Sequence, residues 1–133
     1  MILVDSSVLI DVVEGQSTWA DWSEQQLVQA KQTDDLAINS LIYAELSRDF
    51  ANKPTLDEFL SDLGLRVEPL NGDVAFSAAR AHQSYRAQGG QRSATLPDFF
   101  IGAHASNAKC ALLTRDPKRI RTYFPDVLVI CPE

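Results

Sequence analysis

The chain has 133 residues, of which 45% are hydrophobic, and a formal net charge of −6. That length fits one domain, residues 1–133, and lets roughly 65–70% of the unfolded chain's surface be buried, so a core forms without disulfide or metal staples. The two cysteines, Cys110 and Cys131, make no disulfide framework and read as small buried hydrophobes in a reducing compartment. The start of the chain has no basic region before its apolar stretch, and no run of about 18 apolar residues exists, so a secretory signal and a membrane span are not expected. These features together predict a cytoplasmic protein.

The charge is uneven. Residues 1–66 hold 12 acids and 4 bases, a net of −8, whereas residues 67–133 hold 6 acids and 8 bases, a net of +2. The acidic total argues against a general nucleic-acid binder. The later bases, among them Arg86, Arg92, Arg115 and Lys118, allow a local basic rim, although a solvated surface would look the same.

In chain order, Ile2-Leu3-Val4 is a short apolar strand ending at Asp5. A helix over residues 6–14 is closed by Gly15, and a second covers residues 17–32. Leu36-Ala37-Ile38 reads as a strand. Ile42, Leu46 and Phe50 share one face of a helix predicted over residues 40–52, which Lys53-Pro54 breaks before a short helix over 55–63. Residues 65–70 are strand-like. Asn71 or Asp73 caps a long helix that runs to Gln88 and stops at Gly89-Gly90. A polar loop over 91–96 leads to Pro97, which opens a helix to Ala108. Residues 110–114 form a strand, residues 117–123 a short helix, and residues 127–130 the last strand. Apolar strands separated by helices predict an α/β fold, a parallel sheet covered on both faces in a three-layer α/β/α sandwich.

Asp5 and Asp116 follow strands and Asp98 begins a helix, so a parallel sheet brings all three to the edge where its strands end. Each taken singly is also an ordinary helix cap or first-turn acid. Glu45 borders the apolar face of its helix, where a carboxylate nearing burial needs compensation. Four acids at one edge repel one another, and a divalent cation resolves the conflict. Oxygen donors without clustered His or Cys favour magnesium or manganese over zinc. His82 and His104 read as helix-face residues and not as ligands.

The segments LVDSSVLIDV (3–12), YAELSR (43–48), LPDFFIGAHA (96–105) and LLTRD (112–116) together resemble PIN-domain nucleases, most closely the VapC-type toxins of toxin–antitoxin pairs. The resemblance implies a sheet order of 3-2-1-4-5 and assigns Asp5, Glu45, Asp98 and Asp116 as the family's four acids. It also assigns Ser6 and Thr114 as supporting hydroxyl residues. It implies a magnesium-dependent endoribonuclease in which a metal-activated water attacks the phosphodiester, leaving 5′-phosphate and 3′-hydroxyl ends. Arg86, Arg92, Arg115 and Lys118 are the candidates for flanking phosphates, with the loop over 89–93 able to reach RNA. A transfer- or ribosomal-RNA loop would be the target, because cleavage needs an unpaired strand. A small antitoxin and a homodimer are the implied partners, with Trp19, Trp22 and Leu27 as candidate lining of an antitoxin groove. Three other readings stay open: a PIN-fold binding module without turnover, a DNA-directed nuclease, and a haloacid-dehalogenase-type phosphatase. The last wants an aspartate two residues after Asp5, where this chain has Ser7.

Overall fold

The computed structural model describes residues 1–15, 18–90 and 95–132. Its strands are β1 (Ile2–Val4), β2 (Leu36–Asn39), β3 (Leu65–Glu68), β4 (Ala111–Leu113) and β5 (Val129–Ile130). They form one parallel sheet in the order β3-β2-β1-β4-β5. The helices that flank it are α1 (Ser6–Glu14), α2 (Ala20–Thr33), α3 (Ser40–Leu46), α4 (Lys53–Asp62), α5 (Gly72–Ala87), α6 (Leu96–Ala108) and α7 (Lys118–Tyr123). The predicted α/β architecture and strand order are those observed.

Strands β1 and β2 are buried at every position, as uninterrupted apolar runs in a covered parallel sheet should be. Leu3, Val4, Val8, Leu9, Leu36, Ile38, Ile42, Phe99, Leu112 and Leu113 sit at the centre of the core. Three asparagines start helices in the same way. The side-chain carbonyls of Asn39, Asn52 and Asn71 accept from the amides of Ile42, Thr55 and Val74 at 2.9, 3.0 and 3.0 Å, satisfying donors that the first turn leaves open.

The structure corrects several boundaries. The helix expected over 40–52 ends at Leu46 and passes into a 3₁₀ turn at Ser47–Asp49. There the Ser47 hydroxyl donates back to the Tyr43 carbonyl at 2.9 Å. Lys53-Pro54 starts α4 and does not merely end its predecessor: Asn52 is the cap, and Pro54 lies in the first turn, where its missing N–H is of no consequence. Helix α2 begins at Ala20, and β5 is confined to Val129–Ile130. Cys110 and Cys131 are only half-buried, Cys131 having its sulfur 3.1 Å from an Arg121 guanidinium nitrogen. Among the described residues no helix is long and apolar enough to cross a membrane.

Candidate active site

Strand β1 lies between β2 and β4, and the register pairs Val4 with Leu113. Asp5 and Thr114 are therefore adjacent one residue beyond the paired strands, and the Asp5 amide donates to the Leu113 carbonyl at 2.9 Å. Asp5 occupies the N-cap position of α1 but makes no side-chain cap. Its Oδ2 instead accepts from the hydroxyls of Ser7 and Thr114, both at 2.8 Å. The capping explanation available from sequence thus fails at Asp5, whose carboxylate is held by hydroxyls instead. Thr114 is a double support, since its oxygen also accepts the Asp116 amide at 3.1 Å. Ser7 takes the Arg115 amide at 3.4 Å.

The other acids converge on the same cleft. Asp5, Glu45, Asp98 and Asp116 all line one cavity of about 330 Å³, together with Ser6, Ser7 and Thr114. Glu45 Oε1 accepts from the Ser6 hydroxyl at 3.3 Å. Asp98 does serve as a cap: its Oδ2 accepts the Thr95 amide at 2.7 Å and the Thr95 hydroxyl at 3.2 Å. This first-turn bond fixes the carboxylate at the start of α6 without removing it from the cavity wall.

Burial pushes the Asp5 carboxyl above the ordinary range, and the nearby Asp116 charge adds to it. The hydroxyls of Ser7 and Thr114 pull it back in part. Glu45 is raised too, first by burial and then by the charges of Asp5 and Asp98, against the opposing Ser6 hydroxyl and Arg48. The largest influences on Asp5 are thus burial, two hydroxyls and another carboxylate, followed by a backbone amide.

That pattern bears on metal binding. Among the described residues, no three His, Cys, Asp or Glu side chains stand close enough, as placed, to hold an ion between them. The donor set still fits a hard divalent cation. It consists of four carboxylates and neighbouring hydroxyls around one cavity, with no thiol or imidazole on the wall. An ion that keeps several waters can be held partly through them, so the carboxylates need not all converge on the metal itself.

The basic residues separate into three groups. Arg115 lines the cavity, but its Nε lies 2.9 Å from Oδ2 of Asp11, an ion pair not aligned as a hydrogen bond. Asp11 is 2% exposed and also accepts the Ser23 hydroxyl at 2.8 Å. Arg115 is thereby tied to α1, and Asp11 to α2. Arg86 and Lys118 are exposed and do not line the acid cavity, Lys118 lining a neighbouring cleft. Arg92 and the loop positions 91–93 lie outside the described residues.

Arg119, one of the later bases but not among the phosphate candidates, lines the acid cavity, and Ser7, which sequence reading did not assign to the site, holds Asp5. Ser7 could have been found from its place two residues after Asp5. His104 is buried with its Nδ1 3.1 Å from Nδ2 of Asn39. Leu27 belongs to the core, so it lines no groove. Trp19 is 39% exposed and meets Trp22 edge to face at 6.2 Å.

The sequence matches the model of the PIN domain over residues 2–125. The chain belongs to the PIN domain family. Comparison with curated protein sequences finds no match. Solved structures similar to this PIN domain include chains of toxin–antitoxin proteins. A chain of VapBC2 from Rickettsia felis, solved bound to a DNA fragment from its promoter, has a TM-score of 0.76 at 16% identity, with all of each chain covered. A chain of a toxin–antitoxin complex from Klebsiella pneumoniae has a TM-score of 0.73 at 22% identity, with 100% of this chain and 98% of that one covered. VapC20 of Mycobacterium tuberculosis, described as a sarcin-ricin loop cleaving toxin, has a TM-score of 0.65 at 14% identity, with 96% and 99% covered. At these identities the likeness is one of fold.

Proposed function

We propose that this PIN domain is a divalent-metal-dependent endoribonuclease and the toxin of a toxin–antitoxin pair. The observation that carries the reading is Asp5: a half-buried carboxylate at the end of β1, held by two hydroxyls and sharing one cavity wall with Glu45, Asp98 and Asp116. Carboxylates gathered on one partly buried wall repel one another, and a bound divalent cation offsets that cost. Magnesium or manganese, held by Asp5, Asp98, Glu45 and Asp116 directly or through water, supplies Lewis-acid stabilisation of the scissile phosphate and a nucleophilic water near neutral pH.

The chain's own residues do the positioning. Thr114 and Ser7 fix the Asp5 carboxylate, and Ser6 fixes Glu45 through Oε1. Glu45 and Asp116 orient the attacking water for in-line displacement, leaving a 5′-phosphate and a 3′-hydroxyl. The target is an unpaired loop of a structured cellular RNA, since a base-paired strand does not reach such a cleft. Likeness to chains of toxin–antitoxin complexes supports a small antitoxin as partner. The same reading places the protein in the cytoplasm as a homodimer.

The test is cleavage of total cellular RNA by purified, antitoxin-free protein with magnesium, with EDTA, and with Asp5→Asn in place of the wild type. Discrete fragments with 5′-phosphates, formed only with metal and lost in Asp5→Asn, are the expected result. Cyclic 2′,3′-phosphate ends would refute the mechanism. Folded protein without cleavage under any divalent metal would leave a binding module.

A further inference from the structure

A second cleft, of about 680 Å³, adjoins the acid cavity and shares Asp116 and Arg119 with it. The rest of its wall includes Tyr85 of α5 and Lys118 and Tyr123 of α7. The two cavities are thus consecutive spaces along one surface. The first is lined by carboxylates, whereas the second combines two tyrosine rings with two cationic side chains. Its volume is within the usual range for small-molecule sites, roughly 300–1,000 Å³.

Arg119 stands at the junction. Its guanidinium carbon is 5.7 Å from the Tyr85 ring centre and 5.8 Å from that of Phe99. No described carboxylate lies within ion-pair distance of it, in contrast to Arg115, which is paired with Asp11. Tyr85 and Tyr123 meet edge to face at 5.9 Å, and both pack on the buried Phe99. Both are half-buried, and Tyr85 also lies near-parallel to His82, with ring centres 6.5 Å apart. The Tyr123 hydroxyl donates to Gln88 at 3.3 Å, which fixes that ring.

Half-buried aromatic rings beside a guanidinium with no described carboxylate partner are what an unpaired nucleotide binds: the base stacks and the cation takes the phosphate. We propose that this cleft is a nucleotide subsite, in which the base adjoining the scissile phosphate stacks on the Tyr85–Tyr123 pair and Arg119 holds the phosphate between the two cavities. The proposal rests on the ribonuclease reading and adds to it a reason for cleavage in unpaired loops, because a base in a helix is already stacked on its neighbours. Stacking accepts any base, so the subsite selects for an unpaired strand more than for sequence.

The test uses Asp5→Asn protein with magnesium and two fluorescent probes: a single-stranded oligouridylate of about eight nucleotides and a ribose-phosphate oligomer of equal length without bases. Fluorescence anisotropy should give about tenfold tighter binding of the first, within the range expected of one stacked base. Tyr123→Leu should abolish that preference and leave affinity for the abasic oligomer unchanged. Arg119→Gln should weaken both probes alike. As a check that needs no variant of the rings, an oligomer carrying 5-iodouridine should photo-crosslink to Tyr85 or Tyr123. Equal binding of the two probes, a preference that survives Tyr123→Leu, binding of neither probe, or cross-links confined to other residues would overturn the subsite. If wild-type protein nevertheless cleaves RNA with magnesium, only the subsite falls. If it does not, the ribonuclease reading falls with it.

Discussion

The Asp5 carboxylate exchanges its water for two hydroxyl hydrogen bonds, and the exchange is unfavourable enough that burial still raises its pKa from the ordinary value of 3.8. A raised folded-state pKa means that the folded chain binds the proton more tightly than the unfolded chain does. Stability from this group is therefore present at low pH and is lost as pH rises from 3.8 through the raised value. Glu45 contributes with the same sign. At neutral pH, without metal, both charges oppose folding. Asp5→Asn keeps an oxygen for Ser7 and Thr114 and deletes the charge. It should accordingly raise the melting temperature in EDTA by a few degrees, and added magnesium should stabilise the wild type but not the variant. Thermal unfolding of both proteins with and without magnesium measures this. A variant less stable than wild type in EDTA would mean that Asp5 is a structural residue and that its charge is compensated within the fold.

At the level of elements, the acids of α3 and α6 are linked through a buried pair. Asn39 uses its carbonyl to cap α3 at Ile42, so its amide nitrogen faces His104 on α6. Nδ1 of His104 must then accept, which puts the ring proton on Nε2 and keeps the imidazole neutral. Burial lowers the His104 pKa below 6.5, partly offset by the Glu68 charge. The stability from this arrangement is present above pH 6.5 and is lost as pH falls toward the lowered value. Asn39→Ala removes the cap and leaves a buried nitrogen without its donor, for a loss of about 2–4 kcal/mol. Asn39→Asp keeps the cap and reverses the partner's preference in favour of protonated His104. It should be less stable than wild type near pH 7.5 and close the gap as pH falls to about 5.5. Urea midpoints across that range decide the matter; a gap independent of pH would disconnect His104 from Asn39. The strands and the Asn71 cap were legible because apolar runs and capping residues are local signals. The end of α3 was not, because Phe50 continues the apolar spacing of Ile42 and Leu46 while Ser47 and Asn52 turn the chain. Asn52-Lys53-Pro54, a cap followed by proline in the first turn, was the overlooked sign of a new helix.

For the whole molecule, the sheet order explains why the acid cluster could be read and the basic side could not. Parallel strands deliver their ends to one edge, so residues 111 positions apart, Asp5 and Asp116, were expected together. Arg119 takes its setting from rings on α5 and α6, and Arg115 its partner from α1; no local pattern announces either. The consequence concerns charge. A chain of net −6 has little general attraction for RNA, and with Arg115 bound to Asp11, few cations beside the cleft remain among the described residues to displace counterions. If Arg119 and Lys118 make the phosphate contacts, single-stranded RNA should bind with a slope of log affinity against log salt of about −1.4, that is, about −0.7 for each of two contacts. Arg119→Gln should reduce the slope by about 0.7, and Arg86→Gln, at an exposed position lining neither cleft, should leave it unchanged. Anisotropy titrations of Asp5→Asn protein over a range of salt, at constant magnesium, give these slopes directly. A slope steeper than about −3 in the unsubstituted background would mean that at least four phosphates are held and that the binding face extends well beyond the two clefts.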